Sequence, residues 1–151
     1  MALKPDRVEL LTDVSFFMNT VAERGGVASV VTATSGVGVS MDDANAVVQY
    51  AAVASGAKPV GVLLNDVVDY DLTRQHINWY RDEVQKGGKV TLLRNGQVTT
   101  NSIVASDVPA AGDSAYVGAS GMLTTSNVGA KVGQFLSSKD TDGYAKVSVN
   151  L

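Results

Sequence analysis

The stretch Gly87-Gly88-Lys89-Val90-Thr91-Leu92-Leu93-Arg94-Asn95-Gly96-Gln97-Val98-Thr99-Thr100-Asn101-Ser102-Ile103-Val104 organises the reading of the whole chain. Two runs rich in Val, Thr, Leu and Ile stand on either side of Asn95-Gly96. A type I′ turn needs positive φ at both central residues, which Asn and Gly tolerate best, and its twist matches that of paired strands. Residues 89–94 and 97–104 are therefore expected to form an antiparallel hairpin.

Outward from this hairpin the chain keeps a β character. Towards the C-terminus, short strands are expected over residues 114–117, 122–125 and 131–137, separated by the Gly-containing turns 118–121 and 139–143. Residues 144–151 alternate well. Ala145, Val147, Val149 and Leu151 fall on one face, and Tyr144, Lys146, Ser148 and Asn150 on the other, so the first face belongs to the core. Towards the N-terminus, residues 60–68 are nearly continuously apolar, as expected of a strand covered on both faces. Further strands are expected over 46–53, 27–34 and 15–21. Residues 1–13 hold Pro5, mixed charges and Leu10-Leu11, and residues 35–40 are a Gly-rich link. The expectation is an all-β chain: a small β-barrel or β-sandwich-like domain over residues 41–151, with an extended N-terminal arm over residues 1–40. No long segment of 3.6-residue period supports a doubly wound α/β fold.

Composition narrows the function. The chain has 151 residues, 45% of them hydrophobic and only 18% charged. That charge density is below the roughly 25% of an average soluble domain, which suits a surface shared with a partner. Twelve basic against fifteen acidic residues leave a net charge of −3. The basic residues are scattered, whereas nucleic acid binding needs clustered positive charge, so no nucleic acid partner is expected. The chain has no cysteine, which removes disulfides and thiolate metal sites. No apolar run approaches the ~20 residues of a membrane helix. The first residues lack the apolar block of a signal peptide. The expectation is synthesis in the cytoplasm without a membrane partner.

Catalytic chemistry finds no motif. His76 is the only histidine, and no Ser, Cys or paired carboxylate stands in a recognisable arrangement with it. Asp66, Asp69 and Asp71 have a spacing that also arises where a strand runs into a polar loop, and a hard cation needs further oxygens that nothing here supplies. Asp140-Thr141-Asp142-Gly143 echoes the end of a calcium loop, but Ser138 and Lys146-Val147 stand where acids are needed, so a turn is expected. Gly36-Val37-Gly38 opens like a dinucleotide fingerprint, with Met41 in place of the third glycine. No catalytic residue, metal or cofactor is expected. The aromatic concentrations are Phe16-Phe17 and Trp79-Tyr80, the latter followed by Arg81. Burial in the core is the ordinary fate of aromatics. Trp79, Tyr80 and Arg81, however, sit in the most polar segment and are of the types enriched at interface hot spots. Phe16, Phe17, Trp79, Tyr80 and Arg81 are the candidate protein-contact residues.

A family resemblance then emerges over residues 46–151. It is carried by Val60-Gly61-Val62-Leu63-Leu64, Gly88-Lys89-Val90-Thr91-Leu92-Leu93, Ala111-Gly112-Asp113-Ser114-Ala115-Tyr116-Val117 and Gly121-Met122-Leu123-Thr124. Lys131-Val132-Gly133-Gln134-Phe135-Leu136 and the closing Gly143-Tyr144-Ala145-Lys146-Val147-Ser148-Val149-Asn150-Leu151 complete it. This order of short strands resembles the β-barrel decoration (cement, head-stabilising) proteins of tailed bacteriophages. Residues 1–45 have no counterpart. The resemblance implies a non-enzymatic virion protein on the capsid exterior. Its partners would be the major capsid protein and further copies of itself, with a homotrimer favoured and a dimer as the alternative. The residues alone leave open a head-to-tail or tail-tube protein, a carbohydrate- or ligand-binding β module using Trp79 and Tyr80, and an enzyme using the Asp66–His76 region.

Overall fold

A computed structural model describes residues 2–31, 46–69 and 82–151. The chain is all-β. Its strands are β1 (Val8–Met18), β2 (Val27–Val31), β3 (Val47–Gln49), β4 (Pro59–Leu63), β5 (Asp66–Val68), β6 (Glu83–Gln85), β7 (Lys89–Thr100), β8 (Ser114–Val117), β9 (Leu123–Thr124), β10 (Lys131–Phe135) and β11 (Ala145–Asn150). Nine form one sheet in the order β1-β3-β2-β4-β7-β11-β10-β8-β9, and β5 and β6 pair separately. A further pairing of β1 with β7 returns the first five strands on themselves as a partial ring.

The expected hairpin does not form. Asn95-Gly96 lies inside the single twelve-residue strand β7. Each half of β7 finds a distant partner on one edge: β4 through Val62–Leu93 and Leu63–Leu92, and β11 from Ala145–Thr100 to Asn150–Asn95. The other edge belongs to β1, from Val8–Gln97 to Phe17–Lys89. Long-range ladders on both edges outweigh the local turn preference. The glycine is still needed, for a different reason. Gly96 has φ +152°, and a Cβ there would collide with the Val8 carbonyl oxygen. It permits the close passage of β1, the use of glycine inside a strand where another backbone approaches.

Two apolar cores lie on opposite faces of a shared wall. Neighbouring residues of one strand alternate between them: Val27 and Ala28 on β2, Val62 and Leu63 on β4, Leu93 and Leu92 on β7. The first residue of each pair joins the core that also holds Phe135, Val147 and Val149 of the C-terminal strands. The second joins Met18, Val48 and Val90 inside the ring. This double coverage is what the continuous apolar run after Pro59 encodes. The strands expected over 131–137 and 144–151 are found as β10 and β11, with Ala145, Val147 and Val149 buried as their alternation requires.

Of the residues expected as an arm, the described ones, 2–31, are part of the body. Leu3 is only 3% exposed and sits in the first core, bridged to Thr100. The Lys4 amide donates to the Thr99 carbonyl at 2.8 Å and the Asn101 amide to that of Ala2 at 3.0 Å. Lys4 Nζ meets Asp140 at 2.8 Å and lies over the Tyr144 ring. β1 and β2 are members of the ring. A buried leucine plus main-chain bonds on both sides explains why this segment is docked. The Gly-rich link over 35–40 lies outside the described residues.

Candidate interaction surface

The site is the outer half of β1. Its first nine residues are exposed or half-buried, and only Phe17 and Met18 enter the interior. Val8, Leu10, Leu11 and Val14 are all exposed, Leu10 to 72%. They form a run of large apolar side chains on one strand, where single scattered exposures are the norm. Local geometry aims them. Between Glu9–Gly96 and Leu11–Asn95 the strand carries an extra residue, Leu10, and two further irregularities fall between Leu11 and Thr12 and between Asp13 and Phe16. A bulge inserts an unpaired residue and re-aims its side chain. Among the described residues, the most exposed leucine is the one the bulge sets out.

One edge of this segment is bonded to β7. The other meets β3 only at Phe17–Val47 and Met18–Val48, so residues 8–15 have no strand partner on that side among the described residues. The charges interleaved with the apolar residues are answered within the chain. Arg7 pairs with Glu9, and Arg94 lies 3.8 Å from Asp13. The Ser15 hydroxyl and amide donate to Asp13 and, with Arg94, hold its carboxyl below the ordinary range. The ridge is thus apolar with locally neutralised charge.

The aromatic candidates sit elsewhere. Phe17 is 4% exposed, under the Lys89 ammonium, and Phe16 is half-buried against the ring core. Phe17 is a packing group next to the β1–β3 junction, whereas Phe16 stays partly exposed. The register of β1 carries Phe17 inward, and residue type alone does not reveal it. Trp79, Tyr80 and Arg81, and with them His76 and Asp71, lie outside the described residues. The exposed apolar residues of β1, 8, 10, 11 and 14, left one signal in the sequence: a cluster of apolar residues whose spacing breaks the alternation of a strand.

Asp66, Asp107 and Asp140 have structural partners. Asp66 accepts from the Arg24 amide at 2.8 Å. Asp140 accepts from the amides of Asp142 and Tyr144, so the Asp140–Gly143 segment is the turn expected of it. Burial pushes the Asp107 carboxyl up, but Thr124 and Thr125 donate to it and Lys139 stands near, and the net result is below the ordinary range. Among the described residues no three metal-ligating side chains gather.

A second surface feature lies past the other end of the β1–β3 pairing. A groove of about 280 Å³ opens over β2, β3 and the loop that follows, lined by Ser29, Val30, Val31, Gln49, Val53 and Ala57 among others, none of them charged. Val30 and Val53 are exposed on it. The Ser29 side chain is buried and its Oγ has no hydrogen-bond partner among the described residues. Comparison of the sequence with protein-family models and with curated proteins gives no match.

Proposed function

We propose that this chain is a structural virion protein that binds the outer surface of a phage capsid and stabilises the lattice of the major capsid protein. It acts as a trimer, without catalysis or cofactor, after synthesis in the host cytoplasm. The observation that carries this reading is the β1 ridge. A β protein whose strand leaves Val8, Leu10, Leu11 and Val14 in water has a surface designed to be covered in an assembly. The resemblance of the sequence over residues 46–151 to phage decoration proteins points to the kind of assembly. Physics favours such a role for a modest patch. Many copies on a lattice reach firm attachment by avidity without a strong single contact.

The test is sedimentation with purified capsids. The protein is mixed with expanded and unexpanded shells and the pellet is quantified. The reading predicts saturable binding to expanded shells and a higher temperature of shell disruption. Recovery in the supernatant with both shell forms contradicts it.

A further inference from the structure

We infer that Asn95 is a latent modification site, a spontaneous deamidation that the β7–β11 ladder keeps silent in the folded chain. Asn95-Gly96 is the single Asn-Gly pair of the sequence. The amide nitrogen of the following residue is the nucleophile of this reaction, and glycine, without a side chain, hinders it least. The fold forbids escape by substitution of the glycine. Gly96 has φ +152°, and a Cβ there would collide with the Val8 carbonyl oxygen as β1 passes. The close approach of β1 therefore fixes a reactive dipeptide inside β7.

In the reaction the Gly96 nitrogen attacks Asn95 Cγ. A nitrogen–carbon bond forms, the carboxamide nitrogen leaves as ammonia with the Gly96 amide proton, and a succinimide ring closes. Water then opens the ring. Opening at Cγ leaves aspartate, and opening at the main-chain carbonyl leaves isoaspartate, with the backbone routed through Cβ. Water is the only co-reactant, and nothing is oxidised or reduced.

Geometry blocks the first step in the folded chain. The Leu151 amide donates to the Arg94 carbonyl at 2.9 Å. That contact continues by one position the register of Val149–Gly96 and Asn150–Asn95. Hydrogen-bonded and non-bonded pairs alternate along an antiparallel ladder, so Arg94–Leu151 and Gly96–Val149 are bonded pairs. The Gly96 amide is thus committed to β11. Ring closure needs rotation about the Asn95 Cα–C bond, out of the extended conformation of a strand, and that rotation breaks the Gly96–Val149 pair. Closure therefore waits for β11 to part from β7, and fraying of β1 is not enough. β11 pairs without a break and its inward residues are buried, so this opening approaches unfolding of the whole chain. Folded copies keep Asn95 and copies that open lose it. This inference does not rest on the proposed virion role.

The test is peptide mapping of the full-length chain after incubation at mildly alkaline pH. Samples are held without urea, at several urea concentrations below the unfolding midpoint, and fully unfolded. Digestion with pepsin in acid, where ring closure is slow, precedes mass spectrometry. The mass gain of exchanging a carboxamide for a carboxyl at residue 95 gives the rate. Conversion should be slower in the folded than in the unfolded chain by more than about a hundredfold, as opening of a core strand demands. The logarithm of the folded-state rate should rise with urea at the slope of global unfolding. Equal rates in folded and unfolded chain overturn the inference, and so does a folded-state rate that ignores urea, the signature of fraying at β1. Asn95→Gln, whose longer side chain closes a ring far more slowly, should erase the signal in the unfolded chain. A signal that survives this substitution assigns the reaction to another residue and also overturns the inference.

Discussion

β1 and β11 flank the same strand and could hardly differ more. Both run antiparallel to β7. β11 pairs without a register break, and its inward residues Ala145, Val147 and Val149 are fully buried. β1 breaks register three times and leaves Val8, Leu10, Leu11 and Val14 in solvent. One strand completes a core that the chain itself supplies. The other is held by its backbone, by Leu3 upstream of it and by Phe17–Met18 at its end, while its outer apolar side chains face solvent. Apolar residues on β11 therefore carry folding energy, whereas Val8, Leu10, Leu11 and Val14 on β1 carry little of it and, under the proposed function, are the ones that would carry association energy.

Substitutions can break this contrast. The largest effect is expected at Val147. Val147→Asp places an unpaired carboxylate among Val98, Val149 and Phe135, a cost of several kcal/mol, and should abolish cooperative unfolding in a calorimetric scan. Leu3→Ala should cost about 3 kcal/mol, the usual range for a buried leucine, read as a shift of the denaturant midpoint. A free arm would show no shift. Gly96→Ala should cost about 2 kcal/mol by overpacking against β1, with amide exchange rising first in residues 8–13 and not in β11. Leu10→Asp, on the exposed ridge, should change stability by under about 0.5 kcal/mol.

The acid limb of stability sharpens a further point. Asp107 titrates below its ordinary value of 3.8 in the folded chain, so the unfolded chain takes up the proton first. Its stabilising contribution is present above about pH 4 and is lost as pH falls through the lowered folded value. Asp107→Asn should flatten the acid limb by less than about 1 kcal/mol, since the group is solvent-screened. Paired urea titrations at pH 7 and pH 3 measure it.

Much of the fold was legible where local pattern and tertiary role agree. Ser114–Val117 was bounded correctly because its turns are explicit, and β11 because period-two alternation is itself the burial pattern. The run after Pro59 read as doubly covered because both cores draw on it, but the single strand expected over 60–68 is broken at Leu64-Asn65 into β4 and β5, which belong to different sheets. Asn95-Gly96 misled because a glycine needed for close approach and a glycine needed for a turn look alike in sequence. What separates them is Val8, almost ninety residues away along the chain. The start of β1 was illegible for the same reason. Its bulges erase the alternation that marks a strand, and its partner β7 lies far downstream. The ridge was missed because aromatic type was followed, whereas register decides exposure: Phe17 turns in while Leu10 is set out.

The central claim is that β1 is an exposed strand only in the isolated chain. Deuterium uptake over residues 8–15, compared with the exposed loop over residues 105–113, tests it most directly when measured on protein bound to expanded capsids. The account predicts strong slowing of exchange in residues 8–15 relative to the dispersed chain. Capsid-bound protein whose residues 8–15 still exchange as fast as in the dispersed chain would contradict it.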